Sequence, residues 1–188
     1  MSIIAKDAGK NFPKLPLPES GTTQAVCCAV WDLGLQKTSF NGEEKIQHKI
    51  IIAWEINQLI DAPESEYHGK PYMLNKRYTL SLGEQANLRK DLESWRGKPF
   101  TADEILNGFD VEGLYGINCL IGIKHETDKK DASIVYANVT AIPPPTKGMD
   151  KLVPVRAKDE PAPKWVQEKQ AQQVTPFDAP TDESIPDF

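Results

Sequence analysis

Cysteine is scarce in this chain and poorly placed for structural chemistry: Cys27 and Cys28 are adjacent and Cys119 stands alone. An odd count with two neighbours suits neither a disulfide framework nor a zinc knuckle, so the three thiols read as small buried hydrophobes. Histidine is as thin, and His48, His68 and His125 fall in no His-Glu-x-x-His spacing. No apolar run approaches the ~18 residues of a membrane helix, and the mean hydropathy is −0.47. Met1-Ser2-Ile3-Ile4-Ala5-Lys6 lacks a charged stretch followed by an apolar one, so no secretory leader is read and the cytoplasm is the expected compartment.

Enzyme signatures are missing as well. The glycine before Lys70 has neither the upstream glycine nor the downstream Ser or Thr of a phosphate-binding loop, and there is no Gly-x-Ser-x-Gly elbow. Asp91, Glu93, Asp103, Glu104 and Asp110 could supply a metal-dependent nuclease, but carboxylates so spaced are also those of a solvated face. The expectation is a protein without catalysis, metal or cofactor.

Charge is unevenly spread. Net charge is −5, yet residues 171–188 hold Asp178, Asp182, Glu183 and Asp187 with no Lys or Arg, which leaves the rest at 22 basic against 23 acidic side chains. The body must therefore be judged without its acidic end. Proline is uneven too: nine of fifteen fall at or after Pro143. Residues 1–21 read as an extended arm and 22–148 as one folded domain. Residues 149–188 are too poor in apolar side chains to offset ordering entropy, and read as a disordered linker with an acidic tail.

Between those limits the pattern predicts five strands and a helix. Strand one runs from Gln24 to Leu33, strand two from Ile46 to Ile56 and strand three from Tyr72 to Leu80, with a turn at Asn41-Gly42. Ser81-Leu82-Gly83-Glu84 has capping-box form, and Leu88, Leu92 and Trp95 recur at helical spacing until Gly97 and Pro99. A second capping box, Thr101 to Glu104, opens a short helix that stops at Gly108. Strand four is Ile117 to His125, a charged tip follows at 127–131, and strand five is Ser133 to Ile142. Five short strands with a helix between the third and fourth is the layout of the OB-fold, a small mainly β barrel; a β-rich sandwich gives a similar string.

A single DNA strand is held by flat rings for bases and cations for phosphates along one groove. Strand three supplies Tyr72, Lys76, Arg77 and Tyr78, strand two Lys49 and Trp54, strand four Lys124, and strand five Tyr136 on the face of Asn138 and Thr140. Two of these have competing core roles: Trp54 lies in register with Ile50, Ile52 and Ile56, and Tyr78 with Leu74 and Leu80. Trp95 reads as the plug of the barrel end, while Trp31 is undecided because both faces of strand one are apolar.

Asp182-Glu183-Ser184-Ile185-Pro186-Asp187-Phe188 resembles the acidic tip of bacterial single-stranded DNA-binding proteins, departing by the Asp between Pro186 and Phe188. Trp31-Asp32-Leu33-Gly34, Trp54-Glu55-Ile56, Arg77 to Leu82 and Leu88 to Gly97 resemble a family of bacteriophage single-stranded DNA-binding proteins over roughly residues 22–148. The resemblance implies an OB-fold body that coats single strands in phage replication, recombination and repair, in the host cytoplasm. It also implies a tip (Asp182, Glu183, Ile185, Pro186, Asp187, Phe188) that recruits partner enzymes of those processes. The competing functions are a recombination mediator or annealing factor, and a protein adaptor that binds no DNA. An open barrel edge would offer a surface for pairing with a second copy.

Overall fold

The computed structural model describes residues 15–40 and 42–175. In chain order the elements are β1 (Gly21–Phe40), β2 (Glu43–Leu59), β3 (Pro71–Thr79), α1 (Asn87–Arg96), α2 (Ala102–Asn107), a 3-10 turn (Glu112–Leu114), β4 (Asn118–Thr127), β5 (Val135–Ala141) and α3 (Lys164–Gln170). The protein is mainly β. Its strands form one antiparallel sheet in the order β3-β2-β1-β4-β5. The closed barrel expected from the sequence is not what the hydrogen bonding gives: β3 and β5 are edges, with Cα atoms within 8 Å of each other but no ladder between them.

The inner face of the sheet carries the larger core. Ile50, Ile52, Trp54 and Ile56 alternate along β2, as their spacing predicts, and pack with Leu74, Tyr78, Ile121 and Val139 beneath Leu88, Leu92 and Trp95 of α1. The Trp54 and Trp95 rings lie 5.8 Å apart, and the Trp95 indole donates to the Asn118 carbonyl at 2.9 Å. The helix stops where Gly97 takes φ +65° and its N–H reaches back to Glu93 and Ser94, a left-handed cap that glycine adopts without a Cβ clash. The Thr101 capping box forms. The one expected at Ser81 does not: the Ser81 hydroxyl accepts from Gly83 N–H, and α1 starts at Asn87.

The largest departure lies on the outer face. Residues expected to be a disordered linker from 149 onward pack, as far as Thr175, across β1 and β2. Val166 of α3 is fully buried among Cys28, Trp31, Leu33, Ile51 and Ala53. The strap hangs on polar groups: both Glu55 carboxylate oxygens accept backbone N–H bonds, from Val155 (2.6 Å) and Arg156 (2.9 Å). Asn118 both donates to the Leu152 carbonyl (2.9 Å) and accepts from its N–H (2.8 Å). Gln36 donates to the Lys169 carbonyl at 3.0 Å, and Val174 N–H reaches the Leu35 carbonyl at 2.9 Å. Gln36, Glu55 and Asn118 are the buried polar side chains among the described residues, and each binds strap backbone. Two bulges in β1, at Cys28 and Leu33, turn apolar residues to this side.

Candidate nucleic-acid interface

Beyond the strap, β1 and β2 continue as a two-stranded ribbon paired out to Phe40 and Glu43. At its base the outer faces of β2 and β3 and the 81–87 loop enclose a cleft of about 710 Å³. Strand alternation sends Gln47 and Lys49 of β2 and Arg77 and Thr79 of β3 into it, because their neighbours Ile50 and Tyr78 point to the core. Lys49 Nζ donates to Gln47 Oε1 (2.7 Å) and Thr79 Oγ1 (2.6 Å). Burial, and next the neighbouring Arg77 guanidinium, hold the Lys49 ammonium below its ordinary pKa. Arg77 is exposed and makes no ion pair among the described residues. Glu84 stands on the rim, and α1 opens into the cleft without a side-chain cap or an acidic residue in its first turn. Two like charges side by side repel, and an anion between them relieves the repulsion.

The strand-three cluster read from the sequence is divided between two faces. Tyr78 is 3% exposed and Trp54 fully buried, so neither ring can stack on a base; both belong to the core. The Tyr78 hydroxyl donates to Asp91 Oδ2 (2.8 Å), and Lys76 Nζ pairs with the same oxygen at 2.6 Å, which ties α1 to β3. Burial, then Asp91, pushes the Tyr78 pKa up. Tyr72 packs partly buried against the inner core. Of the predicted contacts, Lys49 and Arg77 bring their cations into the cleft, and the almost fully buried Tyr78 forms part of its wall.

Lys124 and Tyr136 occupy the outer face at the other edge of the sheet. Lys124 Nζ lies 3.1 Å from Glu126 Oε1, Asn138 donates to Glu126 Oε2 at 2.8 Å, and these two contacts hold the Glu126 carboxyl below its ordinary range. Tyr136, opposite Glu126 in the ladder, keeps 48% of its surface exposed. Asp182, Glu183, Ile185, Pro186, Asp187 and Phe188 lie outside the described residues.

Sequence reasoning missed the strap and its receptors. Glu55 carried the available signal, since a carboxylate beside Ile51 and Ala53 on one strand face needs a donor once that face is covered. Among the described residues no three His, Cys, Asp or Glu side chains converge as a metal site, and no helix is long and apolar enough to cross a membrane. No protein-family model matches the chain, and no curated protein matches it.

Proposed function

We propose that the protein is a non-catalytic single-stranded DNA-binding protein whose body follows the OB-fold plan. A five-stranded Greek-key barrel opened between its third and fifth strands has the order β3-β2-β1-β4-β5, and α1 lies between β3 and β4 as that plan requires. The observation that carries the reading is the cleft where Lys49 and Arg77 stand together. A body near neutrality has no large basic field, so it must bind a polyanion through a local cation pair and exposed rings. The role is to coat single strands in replication, recombination and repair, with residues 182–188 recruiting the enzymes of those processes.

The test is a polarisation titration of labelled oligo-dT against a matched duplex at two salt concentrations, with magnesium present. Single strand should bind at least about tenfold tighter than duplex, and log affinity should fall with log salt by about 0.7 per phosphate contact. Equal affinity for both, or none for either, refutes the reading, and cleavage would make the protein a nuclease. Deleting 180–188 should leave DNA affinity unchanged or slightly raised while abolishing capture of replication and repair enzymes.

A further inference from the structure

The outer face of the sheet is cut in two by the strap. From Leu152 at Asn118, past Arg156 at Glu55, to Val174 at Leu35, residues 152–174 occupy β1 and the adjoining part of β2. A ligand lying at Lys49 and Arg77 therefore has no open sheet surface toward β1. It has one in the other direction. The edge strands β3 and β5 approach within 8 Å between Cα atoms, and both present polar outer faces. On β3 these are Asn75, Arg77 and Thr79; on β5 they are Tyr136, Asn138 and Thr140, and five of the six are exposed. Neither face carries a carboxylate.

We propose that the bound strand crosses the β3–β5 seam on one track, from the Lys49–Arg77 cleft to Tyr136 and Lys124, and that the strap sets this course by closing the route over β1. The proposal rests on the DNA-binding reading above and adds the path. Phosphates are held at the cleft, where the two cations lie. The first exposed ring beyond the seam is Tyr136, which stacks on a base further along the same strand. Lys124, now shared with Glu126, is the cation at the far end.

An oligo-dT series from about 4 to about 16 nucleotides, the range of site sizes for such domains, separates the outcomes. Arg77→Ala should weaken binding at every length. Tyr136→Ala should leave the shortest oligonucleotides unaffected and lower affinity for the longest about tenfold, because only those reach past the seam. Lys158→Glu with Lys164→Glu, both exposed on the strap, should change affinity less than twofold. If Arg77→Ala acts and Tyr136→Ala is silent at all lengths, the track is wrong and the cleft reading stands. If the strap variant loses affinity as Arg77→Ala does, the strand crosses β1 and the proposal is overturned. If the unaltered protein binds no oligonucleotide, the functional reading falls with it. Thermal melts of each variant, expected to be unchanged, exclude unfolding as the cause of any loss.

Discussion

The inner and outer faces of β1 and β2 are both buried, but by opposite means. On the inner face large apolar side chains meet an amphipathic helix, and burial itself supplies the driving force. On the outer face a largely polar segment is held by side-chain carboxylate and amide groups that bind its backbone, with Val166 as its one fully buried anchor. A chain segment can thus dock without an apolar pattern of its own when the surface beneath it supplies both the greasy floor and the hydrogen-bond partners.

The sharpest way to break this comparison is to end the protein at residue 148, where composition alone would cut it. That leaves Trp31, Ile51 and Ala53 uncovered and Glu55 without its two donors. The loss should exceed about 5 kcal/mol, the low end of a domain's total stability, so the truncated protein should be unfolded or aggregated by circular dichroism and gel filtration. A cooperative melt near that of the full chain would show the strap to be dispensable.

Trp95→Ala probes the inner face. Removing a buried ring in contact with Trp54 should cost about 3–5 kcal/mol by urea titration. Glu55→Gln probes the outer one: an amide offers one acceptor oxygen where two donors arrive, and losing a charge-assisted bond should cost about 1.5–3 kcal/mol. A cost below about 0.5 kcal/mol would mean that Glu55 does not hold the strap, which would then hang on Val166 and the Asn118 and Gln36 bonds.

The smallest effect belongs to Lys49. Its folded-state pKa lies below the unfolded value, so the unfolded chain binds more protons in the window between them. The Lys49 contribution to stability therefore rises as pH climbs through that window, against the falling contributions of the buried thiols and Tyr78, whose pKa values are raised. Lys49→Met should remove that contribution, read as the difference between the pH–stability curves of the two proteins from urea titrations. Single-strand affinity should fall over the same window, because the cleft loses a charge.

The difference between the faces also explains what the sequence disclosed. Strand identities, the α1 stripe and the Thr101 cap were legible, because periodicity and capping are local. β1 was apolar on both faces, which left Trp31 undecided; its second face is apolar because the strap covers it. The strap was illegible because its partners Gln36, Glu55 and Asn118 lie roughly 35 to 130 residues away in sequence, and no local pattern reports a backbone hydrogen bond of that range. At the candidate interface Lys49 and Arg77 followed from strand alternation. Tyr72, Lys76 and Tyr78 share one face of β3 and differ from Arg77 by a single step, so the cluster that looks continuous in sequence is divided by the pleat.

The buried thiols give the two faces separate clocks. Cys27 and Cys119 lie in the inner core, where burial pushes both thiols up to about 12. Cys28 lies under the strap, raised by burial and by the nearby Glu55 charge. As thiols they are inert to alkylation at neutral pH while the native packing lasts. Each becomes reactive only when its own cover opens. Alkylation at Cys28 ahead of Cys27 and Cys119 would time the release of the strap apart from global unfolding, with no label added to the protein.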